Sequence, residues 1–330
     1  MISATSPKKC IPAICLGVIE LGGINKMSTT ISVVIPYFND SPVIERCLKS
    51  VFNQTHRPNQ IIIVDDCSDD SAVLVEIVAN MPNEIDIILH RNDENKNGAY
   101  SRNYGVSLAS GDYIAFLDGD DYWLEQHLEL SLNKALETDA DFIYSNVIRE
   151  SAKGKRKKRI VTNISKLKNK PDVLFMSPPQ TSSFFFKKNL YQCVSFDENL
   201  RRHQDYQFLL DVILKKKKHV YGDFSNACYC ESHRDLKARV NVDSMLEFWS
   251  SRQSHFTEKA LRKHMLYVYG AGLEHDCDVD EKFRHYKLDE FISREIPYLA
   301  IKFIGRGVVS IFFYKLMRKI SFLFFKYKAR

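Results

Sequence analysis

The chain has 330 residues, of which 45% are hydrophobic and 27% charged, with 13 Gly and 10 Pro. This composition excludes a disordered, collagen-like or low-complexity protein, and the length allows one large α/β domain or two smaller ones. The net charge of +6 arises in residues 301–330, which hold eight basic residues and no acidic one. The remainder has 39 basic against 41 acidic residues, a net charge of −2, so we predict no nucleic-acid partner.

Residues 1–29 are predicted to be a mobile N-terminal extension. Their apolar stretch, CIPAICLGVIELGG, is interrupted by Pro12, Glu20 and the Gly22-Gly23 pair, whereas a signal peptide has an uninterrupted apolar core. Met27 is a candidate start residue, because the first convincing strand begins at Ile31. The eight cysteines lack regular paired spacing, which indicates reduced thiols in a cytosolic protein.

From Ile31 onward, short apolar runs alternate with amphipathic stretches, the pattern of an α/β fold with a mostly parallel sheet. The predicted strands cover residues 31–36, 61–64, 85–90, 112–117, 141–147 and 182–186. The predicted helices cover 42–52, 71–79, 98–109, 123–138 and 204–214. Ser41 is the predicted N-cap of the first of them. We assign residues 30–235 to one α/β domain and residues 236–330 to a helical C-terminal region.

Two basic segments stand outside this pattern. Residues 153–159, KGKRKKR, have six basic side chains out of seven and are predicted to form a solvated loop or hairpin tip, with an anionic acceptor or lipid headgroup as the alternative. Residues 301–330 combine many Phe side chains with basic residues on one side of a helix. This tail is predicted to lie on an anionic membrane surface; the alternative is a terminal helix packed on the domain.

Carboxylates follow two of the predicted strands. Asp65 and Asp66 come after 61–64, and Asp118, Asp120 and Asp121 come after 112–117. Ligands of open α/β sheets bind at the carboxyl ends of strands, and clustered carboxylates favour a hard divalent cation with open positions for phosphate oxygens. The sequence therefore predicts Mn²⁺ or Mg²⁺ and a nucleoside diphosphate. Neither a G-x-G-x-x-G motif after the first strand nor a P-loop motif is present.

Two further polar residues lie at the start of the predicted helix 204–214. Asp205 is in its first turn, where a carboxylate commonly interacts with the helix dipole. His203 is an alternative base, although a solvated histidine is the simpler interpretation. Neither residue type identifies a function from its position alone.

Taken together, these motifs resemble the family 2 glycosyltransferases with the GT-A fold. The resemblance covers about residues 30–235 and rests on four segments: VVIPYFND, SVFNQTHRPNQIIIVDDCSDD, NKNGAYSRNYGVSLASGDYIAFLDGDDYW and SFDENLRRHQDYQFLL. It implies a GT-A fold, a Rossmann-like and mostly parallel central sheet flanked by helices, followed by the helical C-terminal extension.

The resemblance also implies roles for individual residues. Asp118-Gly119-Asp120 is similar to the family's D-x-D, with Asp120 as principal metal ligand and His233 as a late ligand of the metal or diphosphate. Asp66 resembles the carboxylate that binds the uracil imide. Asp205 is at the position of the catalytic base, although Gln204 replaces the usual preceding Glu. The expected nucleotide-binding residues are Pro36, Tyr37, Asn39, Asp66, Asn97, Gly98, Arg102 and Asp118.

The implied reaction is inverting transfer of a hexose or N-acetylhexosamine from a UDP-sugar to a glycan hydroxyl, giving a β-linkage. With the basic tail, it implies a lipid-linked acceptor in cell-surface polysaccharide or lipopolysaccharide synthesis, and a peripheral location on the cytoplasmic face of the inner membrane. A haloacid-dehalogenase-like phosphatase is disfavoured, because Tyr122 stands where that class needs a small hydroxyl or β-branched residue. A catalytically inactive nucleotide-sugar binding protein is the remaining alternative.

Overall fold

The computed structural model describes residues 29–231, 241–274, 278–293, 295, 298, 299 and 312. The strands are β1 Ile31–Tyr37, β2 Gln60–Asp65, β3 Asp86–Arg91, β4 Tyr113–Phe116, β5 Tyr122–Trp123, β6 Phe142–Glu150, β7 Arg156–Arg159, β8 Phe185–Lys187 and β9 His219–Cys230. The helices are α1 Ser41–Phe52, α2 Ser71–Ala79, α3 Asn97–Leu108, α4 His127–Thr138, α5 Gln204–Leu214, α6 Val242–Arg252, α7 Glu258–Glu274 and α8 Val279–His285.

These strands form one mixed sheet in the order β3-β2-β1-β4-β8-β6-β9-β5, with β7 paired to β6. Strands β3, β2, β1 and β4 are parallel neighbours, and β6 is parallel to β9. The short strand β8 is antiparallel to both β4 and β6, so β4 and β6 point the same way. The ends of β1, β2, β4 and β6 therefore share one edge of the sheet, where ligands of open α/β sheets bind.

Both faces of the sheet are covered, which is why its central strands are continuous apolar runs rather than alternating ones. Val34 and Phe116 face one hydrophobic cluster with α3, α5 and the C-terminal helices. Val33 and Ile35 face a second cluster with α1, α2 and α4. The successive side chains of β1 thus enter opposite cores, as the period of a strand requires.

Helix α3 lies unusually close to β1 because it contains Gly105. A Cβ atom at this position would lie 2.4 Å from Cγ1 of Val34, too close for any side chain to be accommodated without movement. The glycine thereby fixes the depth at which α3, with its N-terminal residues Asn97 and Gly98, sits on the sheet.

Helices α6, α7 and α8 pack onto the α/β body and share its core. Leu246, Met265 and Phe283 belong to the same buried cluster as Val34 of the sheet and Phe208 of α5. The predicted boundary near residue 235 lies between described segments, and the two regions are joined by a continuous apolar interior. Among the described residues, no helix combines the length and the apolar character needed to cross a bilayer.

Several predicted elements need correction. The helix predicted for 123–138 begins at His127, because Tyr122 and Trp123 form β5 and pair with β9. The strand predicted for 182–186 is a 3-10 turn over Thr181–Ser183 followed by β8. Strand β9 was not predicted. The basic segment 153–159 forms a hairpin with β6, as predicted, and Gly154 in its turn has a φ of +73°.

Candidate functional site

The predicted acidic residues lie at one edge of the sheet. Asp65 ends β2, Asp66 follows it, and the segment Asp118–Asp121 follows β4. Because β2, β1 and β4 are parallel neighbours, these segments emerge side by side. The sequence prediction that the two acidic clusters meet at a single rim is consistent with this topology.

Ser182 organises the acidic segment after β4. Its hydroxyl donates to Oδ2 of Asp121 at 2.5 Å and accepts from the backbone N–H of Asp118 at 3.2 Å. The other Asp121 oxygen accepts from the backbone N–H of Cys230 at 2.9 Å. Asp121 is 1% exposed, so it acts as an internal anchor that holds Asp118 and Asp120 at the rim.

Three carboxyl groups, those of Asp118, Asp120 and Asp121, lie close together in this segment. Burial raises the pKa of Asp121, and the carboxylates of Asp120 and Asp118 raise it further. Arg46 supplies partial compensation by donating to the backbone carbonyl of Asp120 at 2.9 Å. Gly119 leaves little room at this turn, since a Cβ atom would lie 3.3 Å from the carbonyl oxygen of Pro36.

Asp66 anchors the loop that leads into α3. Its Oδ1 accepts from the side chain of Asn92 at 2.9 Å and from the backbone N–H of Lys96 at 2.8 Å. Its Oδ2 accepts from the backbone N–H of Asn97 at 2.8 Å. A carboxylate oxygen has capacity for a second hydrogen bond, so the contact with Asn97 does not saturate Oδ2.

A polar network joins the starts of α3 and α5. Arg102 donates to Oδ1 of Asp118 at 2.5 Å and to Oε1 of Gln204 at 3.4 Å. Nε2 of Gln204 donates to the side-chain oxygen of Asn97 at 3.1 Å. The guanidinium of Arg102 lies beside Gly98, where a Cβ atom would approach Nη1 to 3.0 Å. Four predicted nucleotide-binding residues are therefore brought together, with Gln204 as their link.

Asp205 lies in the first turn of α5, as predicted. Burial raises the pKa of its carboxyl group; Arg102 opposes this effect and Asp118 adds to it. The preceding residue, Gln204, contacts Arg102 of the Arg102–Asp118 pair, so Asp205 begins its helix beside this network. A carboxylate with a raised pKa is a stronger base than an ordinary aspartate.

The residues predicted to line the nucleoside lie at the end of β1. Tyr37 is buried, and Pro36 is partly exposed beside Gly119. Asn39 has a φ of +52°, and its side-chain oxygen accepts from the backbone N–H of Asp69 at 2.8 Å. The end of β1 is thus held to the loop that follows Asp66.

The two predicted histidines have different outcomes. His203 is not a solvated ring: it stacks on Phe248 at 5.1 Å and contacts Tyr206 and Trp249, and burial lowers its pKa to about 3. It therefore has the environment of a packed core residue and is a poor candidate for the base. His233 lies outside the described residues.

Three positioning residues were not predicted: Arg46, Ser182 and Gln204. Each acts through contacts distant in sequence, and neither Arg46 nor Ser182 belongs to a recognisable local pattern. Gln204 carries a signal in the sequence, because it replaces the Glu that precedes Asp in the resembled motif. From the sequence alone, this replacement indicates a weaker role for position 204. In the structure the oxygen of its carboxamide accepts from Arg102, and the nitrogen donates to the side-chain oxygen of Asn97. An ionised Glu could accept from Arg102 but could not donate to Asn97.

A divalent cation fits the oxygen donors of the rim. Asp118 and Asp120 carry carboxylate groups, the ligand type that Mg²⁺ and Mn²⁺ prefer. In the described part of the chain, no group of three or more His, Cys, Asp and Glu residues is placed to hold a metal ion. Such a cation would therefore draw its other ligands from elsewhere, as Mg²⁺ does when it binds substrate phosphates.

We expect Gln204→Ala to weaken UDP binding about fivefold, because one polar link worth about 1 kcal/mol is lost between Arg102 and Asn97. Titration calorimetry with UDP measures this change. Gln126→Ala is the control, since Gln126 is exposed before α4 and makes no side-chain cap bond. Equal affinities for Gln204→Ala and Gln126→Ala would show that the network does not position the nucleotide site.

Residues 32–207 match the family model described as glycosyl transferase family 2. The chain belongs to this family. The match contains both acidic segments, the α3 network and the start of α5, so all the family 2 residues predicted above except His233 lie within it.

Two bacterial relatives in family 2 illustrate the similarity. The amylovoran biosynthesis glycosyltransferase AmsB of Erwinia amylovora is 35% identical over 189 residues, covering 54% of this chain and 62% of that protein. The UDP-Glc:alpha-D-GlcNAc-diphosphoundecaprenol beta-1,3-glucosyltransferase WfgD of Escherichia coli is 30% identical over 116 residues, covering 35% of this chain and 45% of that protein. The matches span less than two thirds of either relative.

Solved structures confirm the predicted GT-A-like fold of this family 2 chain. The structure of S. aureus TarS residues 1–349 in complex with UDP-GlcNAc has a TM-score of 0.56 and 18% identity, covering 81% of this chain and 72% of that chain. The UDP complex of the same protein gives a TM-score of 0.54 with 18% identity, covering 81% and 71%. At this identity the similarity concerns the fold.

Proposed function

We propose that the chain is an inverting glycosyltransferase that moves a hexose or N-acetylhexosamine from a UDP-sugar to a hydroxyl of a glycan acceptor. The observation that carries this proposal is the position of Asp205, which directly follows Gln204, the residue whose side-chain oxygen accepts from Arg102 at 3.4 Å, while Arg102 pairs with Asp118. A potential base and a potential diphosphate-binding group therefore lie at the same rim. An inactive nucleotide-sugar binding protein does not require a base there.

The donor would bind along the ends of β1 and β2. Asp66 would accept a hydrogen bond from the uracil imide, with Pro36, Tyr37 and Asn39 along the nucleoside and Asn97 and Gly98 near the diphosphate. The two TarS structures, which are titled as complexes with UDP and UDP-GlcNAc, support a UDP-sugar as donor. Arg102 suits phosphate oxygens because a guanidinium can bind them in a bidentate manner.

The proposed transfer is a single displacement. The acceptor oxygen forms a bond to the anomeric carbon, and its proton passes to the carboxylate of Asp205. The bond between the anomeric carbon and the phosphate oxygen breaks, and UDP leaves with the electron pair. Attack opposite the leaving group converts an α-linked donor into a β-glycosidic product. A divalent cation held by Asp120 and Asp118, with His233 as an expected further ligand, would neutralise charge on the diphosphate.

The acceptor is proposed to be lipid-linked, in cell-surface polysaccharide or lipopolysaccharide synthesis. AmsB is named for amylovoran biosynthesis, and WfgD for transfer to a sugar on diphosphoundecaprenol. The basic tail 301–330, of which the structure describes only residue 312, would hold the protein on an anionic membrane surface. We place it on the cytoplasmic face of the inner membrane, where nucleotide sugars are available.

A UDP-release assay tests the proposal. Purified full-length chain is incubated with a panel of UDP-sugars and lipid-linked acceptors, with Mn²⁺ or Mg²⁺ and then with excess chelator. We expect acceptor-dependent release with one sugar and loss of release with chelator. Donor binding without turnover on authentic acceptors would instead favour the inactive binding protein.

We expect Asp120→Asn to lower transfer at least about 10²-fold, because electrostatic stabilisation of a leaving group commonly contributes this much. The variant should also lose the increase in UDP affinity that Mn²⁺ gives to the wild type, which calorimetry measures without turnover. Asp112→Asn, at an exposed carboxylate before β4, is a control for charge removal. Retention of the Mn²⁺ effect in Asp120→Asn would exclude Asp120 as a ligand.

A further inference from the structure

The β6–β7 hairpin has cationic side chains that the fold does not use. Arg149 and Arg156 pair with Glu231 and Glu150, and Arg159 donates to the backbone carbonyl of Pro178 at 3.0 Å. The hairpin's lysines are exposed and make no ion pair with any described residue: Lys153, Lys155, Lys157 and Lys158. Four positive charges that no described residue neutralises therefore project from one turn and the strand that follows it.

Exposed aliphatic side chains accompany these lysines. Ile160 directly follows β7 and is 56% exposed, and Met176 is 61% exposed. The two segments are tied together, because Ser177 donates to the carbonyl of Ile160 at 2.8 Å. Strand alternation places Lys158 and Ile160 on the same side of the chain. Cationic groups beside exposed aliphatic ones are typical of surfaces that contact anionic lipid.

The hairpin is connected to the acidic rim. Glu150, at its base, accepts from Tyr122 and from Arg156, both at 2.6 Å, and pairs with Arg46 at 3.7 Å. Arg46 in turn donates to the backbone carbonyl of Asp120. Since β6 and β4 point the same way, the hairpin turn also extends from the edge of the sheet that carries the candidate site.

We propose that this hairpin, with Ile160 and Met176 beside it, docks on an anionic lipid surface and so presents the rim to that surface. An anionic lipid surface complements the charge of the lysines and can also bury the exposed aliphatic side chains. A soluble phosphate compound would use only the charge. The surface is separate from the tail 301–330. The proposal does not depend on transfer chemistry, because binding is measured without donor or acceptor.

The chain offers a matched control at the opposite edge of the sheet. Lys215–Lys218 is also a run of four lysines, and it precedes the start of β9, which lies beside the start of β6. We compare Lys153→Gln/Lys155→Gln/Lys157→Gln/Lys158→Gln with Lys215→Gln/Lys216→Gln/Lys217→Gln/Lys218→Gln in the full chain. Both variants lose four charges, and circular dichroism verifies that both are folded.

Cosedimentation with vesicles of phosphatidylcholine containing phosphatidylglycerol measures binding. Each lysine near an anionic surface strengthens binding about fivefold, so the hairpin variant should bind more weakly by up to several hundredfold at low salt. The Lys215–Lys218 variant should retain most of the wild-type binding. Equal losses in the two variants would overturn the proposal, since binding would then follow total charge.

Two further measurements separate lipid from soluble phosphate. Inorganic pyrophosphate, titrated by calorimetry, should show no difference between wild type and the hairpin variant; a loss restricted to pyrophosphate, with vesicle binding intact, would overturn the proposal. Ile160→Trp should show a blue shift of fluorescence on vesicles, because the new indole would move from water into lipid. Trp123 and Trp249 are already buried and should not contribute to the change. Leu136→Trp, at an exposed position on α4, should show none; equal shifts would contradict docking through the hairpin.

Discussion

Asp205→Asn should lower the rate of sugar transfer by about 10²–10⁴-fold, the usual contribution of a positioned general base. The amide keeps the size of the side chain but cannot take the acceptor proton. UDP affinity should remain close to that of the wild type, because the network around Asn97, Arg102 and Gln204 does not use the Asp205 side chain. Single-turnover rates and UDP calorimetry measure the two quantities separately.

Asp211→Asn is the matched control for this experiment. Asp211 lies on the same helix, about 9 Å further along its axis, where it accepts from Gln207 at 2.8 Å. We expect it to transfer sugar at nearly the wild-type rate. An Asp205→Asn variant as active as Asp211→Asn would remove Asp205 from the mechanism, while leaving the assignment of the donor site intact.

The second large effect concerns stability in acid. Burial lowers the pKa of His127, His203 and His264 to about 3 in the folded chain, whereas an unfolded histidine has a pKa near 6.5. Below pH 6.5 the unfolded chain therefore binds protons that the folded chain does not. The free energy of unfolding consequently decreases as the pH is lowered. The loss is about 2 kcal/mol for each such histidine between pH 7 and pH 5.

Urea unfolding at pH 7 and pH 5 measures this loss, and His127→Phe isolates one contribution. His127 is 0% exposed and stacks on Trp123 at 4.6 Å, and neither of its ring nitrogens has a hydrogen-bond partner among the described residues, so a Phe ring suits the site. The variant should be about 2 kcal/mol less sensitive to the change in pH. His285→Gln, at an exposed position, should keep the wild-type sensitivity. Identical pH dependence in all three proteins would contradict the prediction.

Prediction from the sequence succeeded where the information is local. Strands β1, β2 and β4 are continuous apolar runs followed by polar residues, such as Asp66 after β2 and Asp118 after β4, although β1 extends one residue past Pro36. Helices α2 and α5 were predicted with the bounds that the structure shows. Because parallel strands end together, the meeting of the acidic segments followed from topology alone.

The elements that were missed depend on distant partners. Strand β9 contains Asp223 and Asn226 and has no clean alternation; it is held by its pairing with β6, more than 70 residues earlier. Two-residue β5 exists because it pairs with β9. The same limit applies to Ser182, whose hydrogen bond to Asp121 spans 61 positions and has no local sequence pattern.

Strand β7 has a consequence for solubility. In the described part of the chain it pairs with β6 alone, which leaves its other backbone edge open to a strand from another molecule. Its sequence, Arg156-Lys157-Lys158-Arg159, puts a positive charge at every position of that edge. Two such edges repel each other, and charged edge strands are a common protection against intermolecular sheet formation. Replacing these residues by aliphatic ones should therefore promote aggregation of the folded protein.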